Sequence, residues 1–331
     1  MACLNGCGIA SARLEATAEE RPVQVRALFV LASLSGGGAE HVVLTLLENL
    51  ERSDIRATLA VLDGSKTFGK RFPASMAVHD LGKRGRLDFL MAIRNLRRLI
   101  ARDGPDVVIS FLPFANVVTF LAARASSVPL VLNERTNTQA YLRFEHFGWV
   151  WGYLLSSVYR RVCRVVANTE MAGKFLVEQL GVDRERLCVF PNPVDSARIS
   201  SQAASHVSHP WFQADEVPVV IGIGRLAAEK GFGRLIEAFA VVRRRIACRL
   251  VLLGEGPERS RLQRTVEGLG LAGLVTFLGF QENPYPLLAR SLVLGIPSEF
   301  EGFPNVAVEA MVCGTPVVGF GGVGGLDEIS D

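Results

Sequence analysis

The chain is expected to fold as an α/β protein of two Rossmann-like domains, each a parallel sheet covered by helices. Three observations predict it. Its 331 residues exceed one ordinary domain and suit two. Short β-branched runs alternate with Gly- or Pro-containing turns and longer amphipathic segments, the pattern of parallel sheets. The alternation then stops near Pro193. Residues 195–215 (DSARISSQAASHVSHPWFQAD) are polar, rich in Ser and Ala, and aperiodic, as a linker is. The expected division is a loose, disordered tail over 1–22, a first domain over 23–194, a linker over 195–215 and a second domain over 216–331.

In chain order, the first domain is expected to hold strands at Val25–Ala32, Ala57–Leu62, Asp106–Phe111, Leu130–Asn133, Arg164–Ala167 and Leu187–Phe190. Each is short, apolar and bounded by turn residues. Helical periodicity falls between them at Ala39–Leu50, Leu87–Arg102 and Met171–Leu180. The longest apolar run, Val107 to Ala123, is broken by Ser110, Pro113, Asn116 and Thr119. It reads as a buried strand followed by a helix rather than a membrane span. The second domain is expected to place strands at Val217–Ile223, Arg249–Leu253, Val275–Leu278, Leu292–Ile296 and Pro316–Val318. Helices fall at Gly233–Val242 and Glu258–Gly268. The chain closes on a glycine-rich turn, so the second sheet is expected to be incomplete, with its C-terminus truncated.

Composition narrows the function. Apolar residues make up 49% and charged residues 21%, which fits a soluble globular protein. A net charge of +3 is too small for a nucleic-acid binder. The six cysteines show no C-x-x-C spacing, and all six are expected as reduced thiols in a cytosolic protein. No basic start followed by an apolar run marks a secretory signal.

Four motifs carry chemistry. In SGGGAEHVVLTLLENL (35–50), a strand end meets three glycines and a helix start. Such a turn lets backbone approach a ligand and presents N–H groups to an anion; it reads equally as a plain tight turn. In GIGRLAAEKGFGRLIEAFA (222–240), Gly224 is followed by the cations Arg225 and Lys230 at a strand's carboxyl end. Arg offers a planar fork and Lys a point charge, together suited to a diphosphate; the plain alternative is two solvated loop cations. The dinucleotide fingerprint here is weak, because Ala-Glu-Lys-Gly intervenes before the helix. LLGEGPERSRLQ (252–263) is a strand–turn–helix whose Glu255 would line a nucleotide pocket or simply form the turn. In SEFEGFPNVAVEAMVCGTPVV (298–318), Glu301 lies in a loop and Glu309 inside the following helix. A helix carboxylate can accept both hydroxyls of a ribose, and a loop carboxylate those of a second sugar. The free N–H groups at Gly302, Phe303 and Asn305, on either side of Pro304, then face the joining anion. An acid/base pair for hydrolysis is the competing reading.

Taken together, GGAE (Gly37–Glu40), GRLAAEKGF (Gly224–Phe232), GEGPE (Gly254–Glu258) and EGFPNVAVEAMVCGTPVV (Glu301–Val318) resemble the retaining glycosyltransferases of family 4, which have the two-domain GT-B fold. The resemblance runs from about Val25 to the end. It implies two Rossmann-like domains facing across a cleft. Arg225 and Lys230 match the cations on the donor diphosphate, Glu309 the ribose carboxylate and Glu301 the carboxylate on the donor sugar. The backbone at Gly302–Pro304 matches the turn beside that sugar, and Gly37 and Gly38 match the loop that closes over the phosphates. Where many relatives carry a His after the strand at Leu130–Asn133, this chain has Asn133, Glu134 and Arg135. That variant resembles the branch building bacterial polysaccharides and lipid-linked glycans, with Glu134 or Arg135 expected near sugar or acceptor.

The implied reaction moves a sugar from a nucleotide-sugar, expected to be a UDP-sugar, to a glycan or lipid-linked acceptor with retention. Neither metal nor cofactor is expected. The basic segment 83–102 and the aromatic, basic segment 148–164 suit peripheral contact with anionic lipid at the inner face of the cell membrane; each also reads as a helix with a solvated charged face. Alternatives are a family member that only binds the nucleotide-sugar, and a GT-B sugar-nucleotide epimerase.

Overall fold

A computed structural model of the chain describes residues 24–34, 38–50, 54–67, 76–85, 88–144, 147–213, 217–322 and 324–329. The expected tail, residues 1–22, lies outside the described residues. The chain divides into two compact units, Met1–Pro193 and Val194–Asp331.

The first unit is built on strands β1 (Val25–Leu34), β2 (Ile55–Thr67), β3 (Ala77–Asp80), β4 (Val107–Phe111), β5 (Leu130–Glu134), β6 (Arg164–Ala167) and β7 (Leu187–Val189). They form one sheet in the order β3-β2-β1-β4-β5-β6-β7, and every pairing is parallel. Its helices are α1 (Gly38–Leu50), α2 (Phe89–Asp103), α3 (Pro113–Ala123), α4 (Thr138–Phe144), α5 (Gly148–Tyr159) and α6 (Glu170–Leu180). Strand β1 shows why the sheet is covered twice. Leu28 and Val30 join one apolar cluster, while Ala27, Phe29 and Leu31 join another on the opposite face. Successive side chains point to opposite faces, so a strand buried on both must be apolar throughout.

The apolar run 107–123 becomes β4 and α3, separated by Leu112 at a φ of 76°. No helix among the described residues is long and apolar enough to cross a membrane. Strand β3 escapes sequence reading because its four residues, AVHD, are mostly exposed at the sheet edge and carry no apolar pattern.

The second unit opens with α7 (Ser196–Ala203) and continues through β8 (Val219–Ile223), α8 (Phe232–Arg243), β9 (Arg249–Leu253), α9 (Arg259–Gly268), β10 (Val275–Gly279), α10 (Tyr285–Leu288), β11 (Val293–Ile296), α11 (Asn305–Val312) and β12 (Val317–Gly319). Its parallel sheet runs β10-β9-β8-β11-β12. Apolar clusters again cover both faces, one around Ile221, Val251 and Leu253, the other around Leu250, Leu252 and Phe232.

Two expectations need correction. Residues 195–215 are not a plain linker: α7 lies within them, capped by the Asp195 carboxylate, which accepts the Arg198 N–H at 3.0 Å. Ile199 is buried in the second unit's core. One well-placed apolar residue and a cap suffice to dock a short helix that Ser and Ala otherwise disguise. Nor are all six cysteines reduced. Cys248 and Cys313 carry free thiols, but Cys163 is disulfide-bonded; sequence spacing is blind to which thiols folding brings together.

Candidate functional site

In the second sheet the chain starts at β8, winds outward through β9 and β10, then returns to the other side of β8 as β11 and β12. The connections leaving β8 and β11 therefore diverge and open a crevice beyond their carboxyl ends, where ligands of open α/β sheets bind. The cation-bearing motif follows β8 and the carboxylate-bearing motif follows β11. Topology brings together the two segments singled out in the sequence, 71 residues apart.

The contact is direct. Lys230 Nζ donates to Glu301 Oε1 at 2.7 Å, with Glu301 much the more buried of the two. Ser298 Oγ donates to the same oxygen at 2.6 Å. Arg225 pairs with Glu229 one turn on. The Glu299 N–H donates to the Glu229 carbonyl at 3.0 Å, tying the two loops together. Gly231, at a φ of 63°, makes this approach possible. A Cβ there would lie 2.2 Å from the Pro297 carbonyl oxygen, so a side chain is excluded on both conformational and steric grounds.

The GEGPE turn after β9 buttresses the same crevice. Gly254 sits at a φ of 127°, where a Cβ would fall 1.9 Å from the Gly224 carbonyl oxygen. The Glu255 carbonyl accepts the Leu226 N–H at 2.9 Å. The Glu255 carboxylate is engaged by Arg259 at 2.6 Å. The turn thus fixes the backbone that carries Gly224 and Arg225.

Beyond Glu301, Gly302 and Phe303 lead to Pro304, which starts α11 without a side-chain cap. Asn305 is its first residue. Glu309 lies four residues further, one turn along the same face. Its carboxyl makes no hydrogen bond or ion pair with a described residue, and burial pushes it up to about 7. An acid held in this way lacks donors, which the hydroxyls of a ligand would supply.

The first unit treats its candidates differently. Gly38 opens α1 at the carboxyl end of β1, while Gly37 lies outside the described residues. Glu134 is fully buried. Its carboxylate accepts Tyr159 Oη at 2.7 Å and Thr136 Oγ1 at 2.6 Å, and desolvation raises its pKa despite those bonds. Asn116 in turn donates to Tyr159 Oη at 3.0 Å. The expected contact of Glu134 with a sugar is corrected: the side chain is enclosed and saturated by its own unit. Arg135 donates to the Phe190 carbonyl at 3.1 Å and to Asn192 Oδ1 at 2.7 Å, and burial lowers its pKa to about 10. Arg135 thus ties the carboxyl ends of β5 and β7 together, while Glu134 ties β5 to α5.

Sequence reading missed Ser298, Arg234 and Phe320 around this crevice. A serine three residues before an acid carries no spacing signal of its own. Among the described residues, no group of three His, Cys, Asp or Glu side chains comes together in a way that could hold a metal ion.

Comparison with known proteins adds family and fold. The profile for "Glycosyltransferase Family 4" matches residues 36–198, and that for "Glycosyl transferases group 1" matches residues 208–331. The chain is similar to the N-acetylgalactosamine-N,N'-diacetylbacillosaminyl-diphospho-undecaprenol 4-alpha-N-acetylgalactosaminyltransferase of Campylobacter jejuni. Identity is 27% over 297 residues, covering 86% of this chain and 78% of the relative. It is also similar to the lipopolysaccharide core biosynthesis glycosyltransferase LpsE of Rhizobium meliloti, at 26% identity over 85% of this chain and 75% of the relative. Among solved structures, Anabaena HepE in complex with UDP-glucose superposes with a TM-score of 0.76 at 23% identity, covering 92% of this chain and 83% of that one. That likeness speaks for the fold.

Proposed function

Because this chain belongs to the family 4 glycosyltransferases of the GT-B fold, we propose that its second unit binds a nucleotide-sugar, preferably a UDP-sugar, and that it transfers the sugar with retention. The observation that carries the reading is the Lys230–Glu301 contact at the crevice of the second sheet, with Glu309 waiting without a partner one helix turn beyond. Relatives named for lipid-linked and lipopolysaccharide acceptors support a glycan or lipid-linked acceptor here, met at the cytoplasmic face of an anionic membrane.

In this reading the diphosphate sits between Arg225, Lys230 and the uncapped start of α11. Negative charge grows on the leaving phosphate as the sugar's C1–O bond breaks. Cations and backbone N–H groups aimed there favour the transition state over the bound donor. Lys230 is paired with Glu301, so the donor meets a site whose charges are mutually screened. Its phosphate takes over Lys230, which leaves Glu301 to receive the sugar's hydroxyls. Glu309 accepts the ribose hydroxyls. The leaving phosphate takes the acceptor's proton, so the reaction needs neither a protein nucleophile nor a metal or cofactor.

The test is a panel of UDP-, GDP- and ADP-sugars read by thermal shift and by donor hydrolysis. UDP-sugars are expected to raise Tm and to be turned over. Lys230→Ala is expected to lower kcat about 100- to 1000-fold, the usual loss for one such donor, and Glu309→Ala to abolish the nucleotide-dependent shift. A shift with NAD alone, or undiminished UDP binding by Glu309→Ala, would refute the assignment.

A further inference from the structure

We propose that Arg234 is a positioning residue for the donor site, holding the loop that carries Glu301 against the loop that carries Lys230. The proposal rests on the donor reading above. Arg234 lies in the first turn of α8, and one guanidinium reaches three groups on two segments around the crevice. Its Nη2 donates to the Pro297 carbonyl at 2.8 Å. The same atom lies 3.7 Å from Glu299 Oε1. The guanidinium carbon sits 5.2 Å from the centre of the Phe320 ring, which follows β12 and is half-exposed.

The consequence for Glu301 follows from chain order. Pro297 immediately precedes Ser298, and Ser298 donates to Glu301. A shift of the Pro297 carbonyl is therefore passed directly to the hydrogen bond that orients the carboxylate. The two loops touch where Gly231 meets that same carbonyl. Arg234 closes the contact from the other side. The Glu299–Glu229 backbone bond remains if Arg234 is removed, so the loops loosen without coming apart. Arginine suits the post because a planar fork can bond a carbonyl, face a carboxylate and cover a ring at once. A lysine would keep the charge and reach one of the three.

Wild type, Arg234→Ala and Arg234→Lys are compared in three measurements: kcat and KM for the UDP-sugar giving the largest shift in the donor panel, calorimetric affinity for that UDP-sugar, and affinity for UDP alone. Misplacing a reacting group by about 1 Å costs up to roughly 100-fold in rate. For Arg234→Ala the expected result is therefore a kcat lower by about tenfold or more. UDP affinity should stay within about twofold, and the extra affinity for the sugar nucleotide over UDP should be lost. Arg234→Lys is expected to fall between. Wild-type kcat and wild-type sugar-nucleotide affinity in Arg234→Ala would overturn the proposal. So would an equal loss of UDP and sugar-nucleotide binding, which marks general support of the fold. If the wild type binds but does not turn over, the two affinities alone decide. A wild type that binds neither UDP nor any sugar nucleotide removes the donor reading itself, and the proposal with it.

Discussion

Two glutamates, Glu134 buried and Glu309 half-buried, receive opposite treatment and show what a single residue can reveal. Glu134 has its hydrogen bonds supplied by Tyr159 and Thr136 and serves the fold. Glu309 has none supplied and is held up to about 7 by burial. Below about pH 4.5, folded and unfolded chains both keep the Glu309 proton. Between there and pH 7 the unfolded chain releases it while the folded protein retains it, so stability falls as pH rises and the loss is complete above 7. Glu309→Gln is therefore expected to match the wild-type Tm near pH 4.5, to exceed it increasingly up to about pH 7 and to hold a constant margin above that, as read by thermal melts across that range. A Tm difference that does not vary with pH would remove this account. At this scale the sequence was informative about residue type and silent about supply. It marked Arg225, Lys230, Glu301 and Glu309 because carboxylates and cations around helix starts are chemically pointed. It could not distinguish Glu134 from Glu309, because burial and partners belong to the fold.

At the scale of elements, alternation of short apolar runs with amphipathic segments made both parallel sheets legible. A strand covered on both faces leaves a dense apolar signature, as β1, β4 and β9 do. The failures share one cause. Strand β3 and helices α4, α7 and α10 are short, and their places are set by contacts with distant segments rather than by local periodicity. Helix α7 is the sharpest case, since its sequence looks like solvent-exposed chain while Ile199 is 4% exposed in the second unit's core. Ile199→Ala is expected to destabilise the protein by about 2–5 kcal/mol, the range for emptying a packed aliphatic site. Urea denaturation measures it. A change within about 0.5 kcal/mol, normal for exposed linker, would return the segment to the linker reading.

At the scale of the whole molecule, the two basic segments marked as membrane candidates separate. On α2, Arg97 bonds the Leu121 and Ala122 carbonyls at the end of α3, and Arg102 pairs with Asp103. Arg97 thus serves the fold, and the Arg102 charge is offset by its neighbour's carboxylate. On α5, Trp149 and Tyr153 are 79% and 75% exposed, and Arg160 continues their stripe, seven residues past Tyr153. Residues 148–164 contain no acid. Aromatic rings beside cations, free of acids, suit an anionic lipid surface. The double variant Trp149→Ser/Tyr153→Ser is expected to bind phosphatidylglycerol vesicles about tenfold less than wild type in flotation. Equal flotation of the two proteins would discard α5 as the contact.

The paired cores reach further than either site. Every residue of the two clusters around the first sheet precedes Pro193, and every residue of the two around the second follows it. Substitutions in one set share no partners with the other, so their effects on stability add rather than compound. Interchange of halves is the expected result: in a hybrid that joins a relative's first unit to this second unit, the second unit should keep its own resistance to unfolding, as read by calorimetry.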